Sequence, residues 1–228
     1  MPISPPCIPG FDVAVSARPR RSGGGDYHAV FTPPGGASMA VAVGDVAGHD
    51  PLAAHLMAIA GHLLHRHAML PGRLGEVMTS VNRSLTPHMR AGRFMTLFLA
   101  VMVAERQSVH WVSAGHAPVL AYDPVQDRFG DVPGHDIPLG IDAAWQYREL
   151  CHSGWSCGAL LVVGTDGVWE ARDPTGAMYG KTRLMERIHA ARSHSAAAIV
   201  SAVEADVEAF RHGRPADDDA TLLVVKAA

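Results

Sequence analysis

Three cysteines, two lysines and no apolar run of bilayer length are the scarcities that first narrow what this 228-residue chain can be. Cys7, Cys151 and Cys157 are odd in number and form no Cys-x-x-Cys pair, which excludes a disulfide framework and predicts reduced thiols in a cytoplasmic protein. The longest apolar stretch, Phe94 to Ala104, is interrupted by Thr96 and is too short to span a membrane. The N-terminus has neither a basic segment nor an apolar one behind it, so no signal peptide is expected. Of 19 cationic residues only Lys181 and Lys226 are lysine, the net charge is -3, and no basic stripe marks a nucleic-acid partner. Trp111, Trp145, Trp155 and Trp169 are scattered, as packing residues are, and make no base-stacking platform.

What is plentiful is apolar: 48% of the residues, enough for a sizeable core. Residues 1–10 carry four prolines and read as an irregular lead-in, with one domain expected over 11–228. Strands are expected from Phe11, from Tyr27 to Thr32 and from Met39, with short turns between them. Two helices follow. Pro51 to Ala68 has so little charge that packing on more than one side is expected, and Leu74 to His88 carries an apolar stripe at spacings of three and four. A second set of strands is expected at 95–103, 108–113, 119–122, 146–151 and 159–163, with a loop over 132–142. A short helix at 168–171, helices at 179–191 and 196–210 and a strand at 221–226 complete the chain. Strand meanders separated by helix pairs, without a βαβ rhythm, predict an α+β fold of two packed sheets flanked by helices.

Four aspartates share one local setting, the end of an apolar strand beside glycine or a turn. Asp26 follows three glycines, Asp45 follows Gly44, Asp166 precedes Gly167, and Asp218 precedes the last strand. Hard divalent cations take such oxygen ligands together with water. An Asp-Gly alone is an ordinary turn. Four in matching contexts point to a metal centre.

The motifs around them come in a recognisable order. They are Arg18-Pro with Gly24-Gly-Asp26-Tyr, Gly44-Asp-Val-Ala-Gly48 with Ala53-Ala-x-x-Met57, and Phe94-Met-Thr-Leu-Phe98. Then follow Ser113-Ala-Gly-His-Ala-Pro118, Pro138-Leu-Gly-Ile141, Thr165-Asp-Gly-Val-x-Glu170 with Tyr179-Gly180, and Asp218-Asp-Ala-Thr221. In these the chain resembles the PPM-type (type 2C) metal-dependent Ser/Thr protein phosphatases, in the bacterial branch similar to stage II sporulation protein E and the Rsb regulators of sigma factors. The resemblance implies a four-layer αββα sandwich, two antiparallel sheets flanked by helix pairs, with a two-ion Mn²⁺ or Mg²⁺ centre. It implies Asp45 as the bridging ligand, with the Val46 carbonyl and Asp26, directly or through water, on the second ion, and Asp166 and Asp218 on the first. Asp45, Asp166 and Asp218 would be the catalytic set, and Arg18 a contact to the substrate phosphate. The implied substrate is a phosphoserine or phosphothreonine of an anti-sigma factor antagonist of STAS type, and the implied output is sigma-factor and stress-response control. The catalytic segment begins within the first dozen residues, so regulation through expression, a partner or metal supply is expected.

Departures from the family pattern matter. Where the family often has a second Asp after Gly-Gly-Asp, this chain has Ala29, and Gly48-His-Asp50 replaces Gly-Lys-Gly or Gly-His-Gly. Asp50 either repels a phosphorylated substrate or caps the following helix, the cap being favoured. These two positions sustain a second hypothesis, a binding module of the same fold that titrates a partner without turnover. The fourteen histidines form no His-Glu-x-x-His pattern, so solvated histidines are expected rather than a zinc site, and His116 is expected to support the turn it occupies.

Overall fold

The computed structural model describes residues 10–20, 24–36, 38–48, 50–89 and 92–228. The lead-in expected over 1–10 lies outside them except for Gly10. The elements in order are β1 (Phe11–Arg18), β2 (Asp26–Phe31), β3 (Ser38–Val46), α1 (Pro51–Ala68), α2 (Leu74–Leu85), β4 (Met95–Val103), β5 (Ser108–Ala114), β6 (Val119–Asp123), β7 (Arg128–Asp131), β8 (His135–Asp136), β9 (Leu150–Ser153), β10 (Leu160–Gly164), α3 (Asp166–Trp169), α4 (Lys181–Ala191), α5 (Ala196–Arg211) and β11 (Ala220–Ala227). They gather into two compact units, one built from 23–117 and 133–155, the other from 9–22, 118–132 and 156–228.

The first unit is a sheet of order β2-β3-β4-β5-β8, with β9 also pairing β5. All its pairs are antiparallel except β5 with β8, a two-residue parallel match. Side chains alternate faces along a strand. Ala42, Val46, Leu97, Leu99, Val112 and Ala114 accordingly share one buried cluster with Leu56, Leu64, Met78 and Val81 of α1 and α2. Met39, Val41 and Val43 point the other way and are also fully buried, so β3 is covered on both faces as its unbroken apolar run predicts.

The second unit is a sheet of order β1-β11-β10-β6-β7. Leu160, Val162, Leu222 and Val224 pack there with Leu184 and Ile188 of α4 and Ile199 and Val203 of α5. Each sheet thus carries a helix pair, as the α+β reading requires.

Four local expectations shift. Helix α1 buries one stripe, Ala53, Leu56, Ala60 and Leu64, and leaves Leu52 and His55 exposed. Its low charge reflects alanine, a strong helix former that tolerates solvent, rather than a second packed face. Strand β9 starts at Leu150 because the Tyr147 N–H donates to Thr79 Oγ1 at 3.1 Å and the Arg148 N–H to Asp136 Oδ2 at 3.0 Å, which removes both from any ladder. Helix α3 begins at Asp166, and the loop expected over 132–142 holds the short β8. Strand β7, Arg-Phe-Gly-Asp at a sheet edge, has no apolar alternation to reveal it.

Candidate functional site

The candidate acidic residues fall into two pairs, one in each unit. Asp26 and Asp45 stand opposite one another where β2 begins and β3 ends. Directly opposed residues on adjacent strands project to the same face. Thr96 of β4 is opposite Asp45 on its other side, so Asp26, Asp45 and Thr96 form one row across three strands. Behind the row, Thr96 Oγ1 lies 3.0 Å from Nδ1 of the buried His116, whose carbonyl accepts from Ser113 Oγ at 2.8 Å. The turn around His116 is therefore pinned to the strand that flanks Asp45.

Gly25 packs against the same place. A Cβ built on it would stand 3.0 Å from the Val46 carbonyl oxygen and 3.1 Å from both Asp45 Oδ1 and the Gly48 oxygen. Three oxygens thus converge on the one spot glycine leaves clear, and the Val46 N–H donates to Gly25 O at 3.2 Å to hold it there. The loop beyond Asp45 is clamped by Arg93. Its Nη1 donates to the Ala47 carbonyl at 3.0 Å and its Nη2 to Asp50 Oδ2 at 2.5 Å, while Asp50 Oδ1 accepts the Ala53 N–H at 2.9 Å and caps α1. Asp50 is the expected cap, and the Ala53 N–H followed by Arg93 holds its carboxyl below the ordinary aspartate value. His49 lies outside the described residues. Ala29 faces the helix-side core, opposite Ala42, and brings no carboxylate to the row.

In the second unit, Asp166 opens α3 with one residue, Thr165, between it and β10, and Asp218 sits two residues before β11. The two strands are antiparallel neighbours, which puts both residues at one end of the sheet. Thr165 and Thr221 lock that end: Thr165 N–H donates to Thr221 O at 3.0 Å, and Thr221 N–H to Thr165 Oγ1 at 2.9 Å. A Cβ on Gly167 would fall 1.8 Å from Asp219 O, so only glycine allows this approach of α3 to the strand. Asp166 and Asp218 line a cavity of about 290 Å³ shared with Arg18, Glu170 and Glu204. Asp166 has an accessible surface, yet the concave wall strips part of its water. That desolvation, then the charges of Asp218 and Glu170, push its carboxyl above the ordinary value.

Arg18 closes the β1 end of this cavity, and its Nε donates to Glu204 Oε1 of α5 at 2.8 Å. Ser16 Oγ bonds the same carboxylate. Sequence reading offered no sign of Glu204, which lies 186 residues away. It also missed Arg93 and the buried Asp219, whose Oδ1 accepts the Arg20 N–H at 2.6 Å. The adjacent acidic run at 217–219 was the available signal for Asp219.

The donor chemistry fits a hard divalent cation. Each pair brings carboxylates together at a strand end, the first adds backbone carbonyls, and the Asp166 carboxyl is raised by desolvation first and by the neighbouring Asp218 and Glu170 charges second. Among the described residues no group of three or more His, Cys, Asp or Glu side chains is gathered as a ready cation cage. His55, His62 and His65 are exposed on α1, in keeping with solvated histidines, whereas His67 is half-buried beside Ser84. No described helix is long and apolar enough to cross a membrane.

Two antiparallel-rich sheets, each with its helix pair and acidic strand ends, define the fold of the PP2C domains. The PP2C phosphatase domain of SpoIIE from Bacillus subtilis superposes with a TM-score of 0.81 at 18% identity, covering 95% of this chain and 62% of that one. RsbX in complex with magnesium matches with a TM-score of 0.68 at 15% identity, over 96% of both chains. The family model Stage II sporulation protein E (SpoIIE) matches residues 35–228, and the chain belongs to that family. Phosphoserine phosphatase RsbU of Bacillus subtilis is 26% identical over 163 residues, which are 72% of this chain and 48% of RsbU. The chain therefore spans about half the length of that relative.

Proposed function

We propose that the chain is a divalent-metal-dependent protein phosphatase acting on phosphoserine or phosphothreonine of a regulatory protein, and that residues 11–228 work as one domain. The observation that carries the proposal is the acidic row Asp26–Asp45, in register at the strand end, with the Val46 and Gly48 carbonyls turned to the same spot at Gly25. The raised carboxyl of Asp166 beside Asp218 supports it from the second unit. Membership of the SpoIIE family and the likeness to a protein named phosphoserine phosphatase favour the same reaction class.

In this reading Asp45 would be the shared ligand, Asp166 and Asp218 would hold one ion, and Asp26 with the Val46 carbonyl would hold the other. Manganese or magnesium ions bound there would supply Lewis acidity toward a phosphoryl oxygen and lower the proton affinity of a bound water. The protein's own part is to fix the carboxylates. The β2–β3–β4 register sets Asp26 and Asp45, the Thr165–Thr221 lock sets Asp166, and the Arg93 clamp sets the loop that presents the Val46 carbonyl. Arg18, on the cavity wall with Asp166 and Asp218, is the proposed contact to the phosphate. A STAS-type antagonist of an anti-sigma factor is the proposed substrate, and the cytoplasm the proposed compartment.

The test is Mn²⁺- or Mg²⁺-stimulated hydrolysis of p-nitrophenyl phosphate and of a phosphorylated STAS protein, with metal binding measured by calorimetry in Asp45→Ala and Asp166→Asn. Turnover that requires the cation and is lost in both variants, with weakened metal binding in each, is expected. Absence of metal-dependent turnover in the intact chain would overturn the reading in favour of a partner-binding module.

A further inference from the structure

At the outer edge of the first unit's sheet, three residues outside the acidic row form a hydrogen-bonded chain. Cys151 of β9 is directly opposite His110 of β5. Its Sγ lies 3.6 Å from His110 Nε2, and His110 Nδ1 lies 2.9 Å from Glu149 Oε1. The other oxygen of Glu149 accepts the Leu74 N–H at 2.8 Å, at the start of α2, so the carboxylate is held from two sides. With the Nδ1 proton given to Glu149, the tautomer leaves Nε2 as an acceptor facing the thiol. The thiol is exposed on an edge strand. A nucleophile, a base within reach and a carboxylate orienting that base are the parts that activate a cysteine.

We propose that Cys151 is a thiol-modification site that exchanges with low-molecular-weight disulfides, with His110 as its base and Glu149 as the residue that positions the base. In the exchange the thiol proton passes to His110 Nε2 and the Cys151 sulfur attacks one sulfur of the disulfide. A new S–S bond forms as the old one breaks. Cys151 is oxidised to a mixed disulfide, and the departing sulfur is reduced and leaves as a thiol carrying the proton from His110. Nothing in this step draws on the phosphatase reading. Ala114, next to the Thr96 row, is four residues farther along β5 than His110, roughly 13 Å away along the strand.

Cys157 is also exposed and serves as a reference inside the same molecule. The full-length protein is incubated with oxidised glutathione, and the mixed disulfides at the Cys151 and Cys157 peptides are timed by mass spectrometry. Cys151 is expected to react about tenfold faster than Cys157 in the folded protein and at the same rate in urea. His110→Asn is expected to bring Cys151 down to the Cys157 rate, leaving Cys157 unchanged. Equal rates at the two cysteines in the folded protein, or an unaltered Cys151 rate in the variant, would overturn the proposal. Should His110→Asn fail to fold, the comparison of folded and urea-unfolded unsubstituted protein decides alone: a Cys151 rate that does not fall on unfolding overturns it.

Discussion

Arg93 and Asp50 face each other across the loop that follows Asp45, with Nη2 of the guanidinium 2.5 Å from the Asp50 carboxylate. The same guanidinium holds the Ala47 carbonyl, so the carboxylate in the place of a family glycine has its charge turned toward an arginine and a helix N-terminus. Asp50 is thereby part of a clamp. Arg93→Ala is expected to lower metal-dependent kcat/KM by about tenfold or more, since small displacements of a site loop are costly. Asp50→Asn keeps a good cap and is expected to retain the helical circular dichroism of the parent while losing part of the activity. Steady-state kinetics at saturating Mn²⁺ check both.

Gly25→Ala places a methyl within 3.1 Å of the Asp45, Val46 and Gly48 oxygens. The variant is expected to fold, because the crowding is confined to a strand end, and to lose cation binding at that end. Calorimetric titration with Mn²⁺ should show at least one fewer ion bound, and activity should fall on the order of 100-fold.

Asp166→Asn should have opposite effects with and without cation. The Asp166 carboxyl is raised in the folded state, so its ionisation opposes folding above its folded value, and the penalty disappears below its unfolded value. In chelator at neutral pH the variant is expected to melt above the parent. With Mn²⁺ the parent gains and the variant gains less, reversing the order. Melting curves with EDTA and with Mn²⁺ read this directly.

His116→Ala removes the buried partner of Thr96 beside Asp45. The Thr96 hydroxyl is half-buried, and losing this hydrogen bond costs roughly 0.5–1.5 kcal/mol. Urea denaturation should show a lowered midpoint, and the Mn²⁺ affinity should weaken with it.

The motif residue Tyr179 donates to Asp206 Oδ2 at 2.7 Å, and Arg183 forks onto both oxygens of the same carboxylate at 2.9 and 3.0 Å. Arg183 first, then Tyr179, hold the Asp206 carboxyl below its ordinary value. A depressed carboxylate gives stability that is present above its unfolded value and lost as the pH falls through its folded value. The gap in melting temperature between the parent and Asp206→Asn should therefore be constant near neutrality and close only in acid, below the usual aspartate range.

Much of the fold was legible because its strands are apolar runs cut short by glycine or aspartate. The apolar runs Val41 to Gly44 and Leu160 to Gly164 stop where side-chain chemistry changes, although β3 itself runs on through Asp45 to Val46, and Asp166 follows β10 after Thr165. Arg18 shows the limit. Its place at the end of β1 was readable, but its ion pair with Glu204 depends on how α5 packs on the sheet. Strand β9 failed to begin at 146 because side chains of distant elements captured two backbone donors, a competition no local pattern records.

By itself the sequence determined most of the strands and helices, though not β7 or β8, and which strand ends carry the candidate aspartates. Those follow from short-range alternation, capping and turn chemistry. Only the tertiary structure decided that Asp26 lies opposite Asp45, that Arg93 neutralises Asp50, and that Cys151, His110 and Glu149 share one edge. Strand register and helix docking are set by long-range burial, and a slip of one residue would turn strand residues such as Asp26, Asp45, His110 and Cys151 to the other face.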